Sequence, residues 1–286
     1  MKKLIIRADD VGYTSANNDG VFKAIDQGIV TSADLMLDTP GSIDAMIRLR
    51  ERPWISVGWH THFWGSPVLD PHEVSSMVNE TGRFRFRHNR HLMDECNYDE
   101  LIHEMRAQLE RCRNVLGHVP SYTEIHGNGL FARALKQVCD EYGIRYHFVN
   151  KPDHSGVLEE ADPEYRKLDI YMPNQPAGYY RICYDDSVKI RETYDPVSYF
   201  IDDYDHLMQH STVLTAWHPG YLDDYILRES SLKEVRVKDI IALTSPVLKQ
   251  WLVQNSIQLV STLDVLTGTN RYQEHLKQIG SALYIH

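Results

Sequence analysis

KLIIRADDVG, residues 3–12, decides how this chain is read. Lys3–Ala8 is a short, largely apolar run of β character that ends in two acids, Asp9 and Asp10, with Gly12 close behind. A helical pattern then runs through Val21, Ala24 and Ile25 and stops at Gly28. Strand, loop and helix follow one another with no spacer.

The unit recurs. Thr31–Leu37 reads as a second strand, Ser42–Arg50 as a helix, and Ile55–Gly58 as a third strand that ends at Trp59-His60. Tyr98–Leu116 is a strongly periodic helix stopped by Gly117, and Ser121–Ile125 is a strand that ends at His126. Ala132–Tyr142, closed by Gly143, is a helix, followed by a strand at Ile144–Val149. Pro196–Met208 reads as a helix, and Thr212–Trp217 as a strand running into His218-Pro219-Gly220. A helix at Pro246–Gln254 and a strand at Ile257–Val260 complete the pattern. Alternating strands and helices predict a mainly parallel α/β sheet with helices outside it. No linker divides the chain, so one domain is expected over residues 1–286, with long irregular loops at about 61–95 and 150–195. A closed barrel is favoured over an open sheet because the chemically suggestive residues all follow strands, and barrel strands converge their C-terminal ends on one site.

Composition excludes several classes. The chain has 286 residues, 42% hydrophobic and 24% charged, which is ordinary globular usage. Lys plus Arg is 30 and Asp plus Glu is 40, a formal charge of −10. An acidic chain without a basic block suits neither nucleic acid nor an anionic membrane surface. No run approaches the about 18 apolar residues of a membrane span, and the apolar stretch Leu4–Ile6 is too short for a signal-peptide core. A cytoplasmic location is expected, with Cys96, Cys112, Cys139 and Cys183 as reduced structural thiols.

Four strand ends carry acids or imidazoles: Asp9-Asp10, His60 or His62, His126 and His218. One carboxylate and two imidazoles suit a divalent cation such as Zn²⁺ and also tolerate Mg²⁺ or Mn²⁺. Such an ion acidifies water, leaving a spare carboxylate and a spare imidazole for proton transfer. Each residue also has a bland reading: Asp-Asp as a turn or helix cap, the histidines as core or surface residues, His218 as part of a Pro-Gly turn. Geometry raises an objection too, since neighbours in a regular strand face opposite ways, so Asp9 and Asp10 share a site only if the strand has bulged or ended. Tyr13, Trp59, Trp64, Trp217 and Tyr221 lie beside these positions and suit the faces of a sugar ring, with burial in the core as the alternative. The tyrosines at 165, 171, 179, 180 and 184 are expected to line a cleft or a subunit contact.

Four pieces together resemble the YdjC/ChbG family of carbohydrate deacetylases: Arg7-Ala8-Asp9-Asp10-Val11-Gly12, Val57-Gly58-Trp59-His60, the run Pro120–His126, and Trp217-His218-Pro219-Gly220-Tyr221. Their order and spacing fit from residue 3 to about 265. The resemblance implies a distorted (β/α) barrel of the TIM-like, glycoside hydrolase/deacetylase type. It also implies one divalent metal ion, Mg²⁺ or Zn²⁺, and removal of N-acetyl groups from small amino-sugar oligosaccharides, chitobiose-like and in some cases phosphorylated. Carried over by position, Asp10, His60 and His126 are metal ligands, Asp9 is the general base and His218 the general acid. Trp59, Trp64, Tyr13 and Tyr221 are expected to bind substrate, and a homodimer is a family-level expectation. Two stretches depart from the family's pattern. Gly58-Trp59-His60-Thr61-His62-Phe63-Trp64 makes His62 a rival to His60, and Glu124-Ile125-His126-Gly127-Asn128 alters the surroundings of the third ligand. Two other readings stay open: a different metal-assisted sugar reaction, isomerisation or de-esterification, and an inactive relative that binds sugar.

Overall fold

The computed structural model describes residues 1–124, 129–150, 156–160, 170–172, 192, 194–202 and 210–285. Eight strands pair in chain order: β1 (Lys2–Val11), β2 (Ser32–Leu35), β3 (Ser56–Trp59), β4 (Tyr122–Glu124), β5 (Tyr146–Asn150), β6 (Gly156–Glu160), β7 (Ile170–Met172) and β8 (Thr212–Trp217). β1 pairs with both β8 and β2, which closes the ring. The barrel is distorted in two places. β6 runs antiparallel to both neighbours while the other pairings are parallel. One edge of β1 is also divided: β9 (Ile257–Leu259) pairs at Lys2–Leu4, and β2 pairs from Arg7 to Val11. The stretch 150–195, expected to be irregular, contains β6 and β7, whose few residues show no periodicity long enough to read.

The helices are α1 (Ser15–Asp26), α2 (Ser42–Arg50), α3 (Tyr98–Leu116), α4 (Leu130–Tyr142), α5 (Pro196–Asp202), α6 (Asp224–Glu229), α7 (Glu234–Leu243), α8 (Pro246–Gln254), α9 (Thr262–Thr267) and α10 (Arg271–Gln278). Their ends follow local chemistry. Thr14 caps α1 by accepting from the Asn17 amide, and Gly117 ends α3 at a left-handed φ of 98°.

Strand alternation sorts the side chains into two layers. Leu4, Ile6 and Ala8 of β1 join Val21 and Phe22 of α1 in the large core between sheet and helices. Ile5 instead meets Tyr122 of β4 and Leu214 and Ala216 of β8 inside the barrel. Residues 5, 7 and 9 therefore share the inner face, so Arg7 and Asp9 sit above Ile5 toward the C-terminal end. The loop at 61–95 is pinned to α3: buried Glu104 accepts from the Val68 and Leu69 amides at 2.9 and 3.1 Å. Cys96, Cys112 and Cys139 are buried free thiols, and burial pushes the Cys112 thiol up to about 12, as expected of inert structural cysteines. Cys183 lies outside the described residues.

Candidate metal and catalytic centre

At the end of β1 the two aspartates part company. Asp9 continues the inward face, where the Arg7 fork grips it twice, Nε to Oδ1 at 2.7 Å and a terminal nitrogen to Oδ2 at 2.9 Å. Asp10 takes a left-handed φ of 59°, and the β1–β2 register shifts between Ala8 and Val11. That irregularity answers the geometric objection to a shared site. Gly12 completes the turn at φ 93°, where a Cβ would press within 3.0 Å of the Met36 carbonyl oxygen.

Asp10 is then claimed from two sides. Arg236 of α7 donates to Oδ2 at 2.5 Å, and the His60 ring lies with Nε2 3.3 Å from Oδ1. Burial pushes the Asp10 carboxyl up, but Arg236 and the hydrogen-bonded His60 outweigh it and hold the group well below the usual carboxylate range. His60 follows β3 on the same face as Gly58. Gly58 leaves room there for Tyr122, whose hydroxyl donates to Asp34 Oδ1; a Cβ at 58 would lie 2.3 Å from the Tyr122 ring. Asp34 in turn sits 3.2 Å from Arg7 Nε and 3.9 Å from His60 Nδ1.

His60 and His62 are not alternatives in space. The His62 amide donates to the His60 carbonyl at 3.0 Å, a tight turn that sets the two rings edge to face with centroids 4.0 Å apart. Asp10, His60 and His62 each offer a ligand atom within 4.8 Å of the other two. His62 also stacks on Trp64 at 3.9 Å, and the Arg87 guanidinium covers Trp64 at 4.0 Å.

His218 follows β8, and its backbone amide donates to Asp239 Oδ2 at 2.9 Å. Its Nδ1 is buried with no hydrogen-bond partner among the described residues. Burial lowers the His218 pKa more than nearby Asp10 and Asp9 raise it, so the ring gives up its proton more readily than a free imidazole. Three buried donors near Asp10 likewise lack partners among the described residues: Tyr13 Oη, Trp64 Nε1 and one terminal nitrogen of Arg236. Burial drives the Tyr13 phenol pKa upward and keeps it protonated, a donor.

The sequence-based expectations fare differently. Asp9, Asp10, His60 and His218 come to the same end of the barrel, and His126 lies outside the described residues. Trp59, expected to bind substrate, is instead wholly buried in the outer core, because β3 alternation sends it opposite to Gly58 and His60. Trp217 is also a core residue, its indole donating to Thr215. Tyr13 and Trp64 pack 6.2 Å apart beside the acids, and Tyr221 is exposed. Of the tyrosine-rich stretch, only Tyr171 falls within the described residues, in β7. Arg7, Asp34, Arg236 and Asp239 were given no role from sequence, although Arg7 and Asp34 showed as charges inside otherwise apolar strand runs.

The donor set fits a divalent cation. Asp10, His60 and His62 offer one carboxylate oxygen and two imidazole nitrogens within 4.8 Å of one another, with buried Asp34 close to His60.

A distorted (β/α) barrel with an acid–imidazole centre at its strand ends defines the class. The chain belongs to the YdjC-like family, whose family model matches residues 3–254. It is 31% identical over 263 residues to a carbohydrate deacetylase of Brevibacillus brevis, covering 91% of this chain and 98% of the relative. It is 28% identical over 277 residues to carbohydrate deacetylase 2 of Listeria innocua, covering 92% and 98%. A solved structure from Enterococcus faecalis, provisionally described as a cellobiose-phosphate cleavage protein, superposes with a TM-score of 0.65 at 23% identity over 93% of this chain and 98% of that one, and so shares the fold. Among the described residues no helix is long and apolar enough to cross a membrane.

Proposed function

We propose that this chain is a metal-dependent hydrolase that removes N-acetyl groups from small amino-sugar oligosaccharides, chitobiose-like, with or without a phosphate. The observation that carries the reading is the clustering of Asp10, His60 and His62 beside buried donors that lack partners among the described residues. The relatives named carbohydrate deacetylase support the substrate class.

Asp10 and His60 would hold the cation, with His126 from the segment after β4 as the third ligand and His62 close enough to join. When bound, the cation supplies Lewis acidity to the acetyl carbonyl and to water. Asp9 is the base. Arg7 fixes the plane of its carboxylate, and each oxygen keeps a second lone pair for a water proton. Tyr13 Oη and Trp64 Nε1 offer hydrogen bonds to acceptor oxygens, and their rings offer flat faces to the sugar. His218 in its protonated form gives a proton to the leaving nitrogen as the C–N bond breaks, and the proton that Asp9 took from water makes good that loss, so water is consumed and acetate and a free amine are produced.

The direct test is acetate release from N,N′-diacetylchitobiose and its phosphorylated form, with the metal content of the same sample measured. Turnover that disappears on chelation and returns with one divalent ion per chain is expected. No acetate from either sugar would overturn the substrate assignment. Sugar isomers or ester hydrolysis instead would indicate another reaction, and tight sugar binding without turnover an inactive receptor.

A further inference from the structure

Helix α7 carries two fully buried charges, Arg236 and Asp239, three residues apart and so on one helical face. Burying charges in a helix that could have packed with aliphatic side chains costs stability, and these two reach the proposed centre from behind. Arg236 is aimed by the Leu232 carbonyl and the Ser230 hydroxyl, each 3.0 Å away, and delivers its guanidinium to Asp10. Its own carbonyl accepts from the Gly220 amide at 3.3 Å. Asp239 takes the His218 amide on Oδ2 and the Tyr194 hydroxyl on Oδ1, both at 2.9 Å. Lys238 holds the Tyr194 carbonyl at 2.7 Å. One helix face thus grips Asp10 and the backbone on which the His218 ring turns.

We propose that Asp239 is a positioning residue for His218: its carboxylate fixes the backbone at the end of β8, and so sets the imidazole against an Asp10 that Arg236 holds from the same face of α7. The inference rests on the reading of His218 as the acid that protonates the leaving nitrogen. An amide needs that proton, whereas an ester with a good leaving group does not. Displacing His218 should therefore slow amide hydrolysis selectively, which a general loosening of the fold would not do.

The test uses the metal-loaded full chain and compares the N-acetyl sugar with 4-nitrophenyl acetate. Asp239→Ala should lower kcat on the amide about 100-fold, at the low end of what a general acid contributes, and change ester turnover less than about threefold, with KM little altered. Asp239→Asn, which can still accept from the His218 amide, should recover most of the loss. Tyr194→Phe should fall between wild type and Asp239→Ala. His218→Ala should show the same amide-selective pattern. Equal losses on both substrates, or full amide activity in Asp239→Ala, would overturn the inference. If Asp239→Ala fails to fold, the imidazole ¹⁵N signals of His218 in folded Tyr194→Phe decide: signals shifted from wild type, with those of Asp239→Asn nearer to wild type, support it, and unchanged signals in Tyr194→Phe overturn it. His218→Ala without selectivity would instead remove His218 from the acid's role, and the inference with it.

Discussion

The two ends of the barrel solve opposite problems. At the N-terminal ends of the strands, between α8, α10 and the Trp54 turn, lies a cavity of about 570 Å³ walled by Ile25, Trp54, Val253, Tyr272, Leu276 and Leu283. Its size is ordinary for a ligand pocket, yet its polar groups are largely spoken for: Trp54 stacks on His275 at 3.7 Å, and Lys249 donates to the Gln27 carbonyl at 2.5 Å. At the C-terminal ends, buried charges crowd together and buried donors lack partners among the described residues. Unspent hydrogen-bonding capacity, held by charges that cost stability, marks chemistry better than empty volume does.

The largest effect should come from Asp9→Asn. Asn can accept one of the two Arg7 bonds but cannot take a proton from water. We expect kcat to fall by about 10³-fold, within the range a lost general base commands, with metal content unchanged. The substitution also leaves the buried Arg7 guanidinium short of a counter-charge, so thermal stability should fall as well. Full activity, or loss of the metal along with activity, would sink the division of labour between Asp9 and Asp10.

What could be read ahead of the structure follows from range. β1, α1, α3 and β8 are local events: apolar runs with clear punctuation, and the ends of β1 and β8 carry Asp9, Asp10 and His218 to one end of the barrel. The shared site of two adjacent acids was not legible, because it depends on the left-handed backbone at Asp10 and a register slip against β2. Nor was the burial of Trp59, since a four-residue strand gives too little alternation to say which side faces the helices. The partners of the site were hidden for a different reason. Residues 234–243 were assigned no element from sequence, and only tertiary placement turns Arg236 and Asp239 of this helix inward. His60 and His62 looked like competitors because the stretch Gly58–Trp64 departs from the family's pattern; the tight turn after β3 makes them neighbours.

A second, smaller effect concerns pH. Burial lowers the His218 pKa, so its protonated share is gained only below the ordinary histidine value of about 6.5. A group that must be protonated to act loses that share as pH rises through its folded pKa. In the metal-loaded enzyme kcat/KM on the amide should therefore fall on the alkaline side with a midpoint under about 6.5, and His218→Gln should lack that limb. A limb that persists in His218→Gln belongs to another group, and the acid would have to be sought elsewhere.

The smallest effect on turnover is expected at the other end. Trp54 is half-buried and stacked on His275 of α10. Trp54→Ala removes that stack and enlarges a cavity that is already present, so the chain should lose about 1–2 kcal/mol, less than the cost of deleting a fully buried tryptophan. The strands transmit little of this to their far ends. Arg7, Asp9 and Asp34 are fixed to one another by short charged bonds, and Asp10 is fixed to α7, independently of the packing beneath β1. Acetate release below the melting transition should stay within about twofold of wild type, as expected for distant sites that share no partners. A tenfold fall in kcat with the metal retained would show that the apolar end is coupled to the polar one. The cavity would then be a control point and not merely a packing defect.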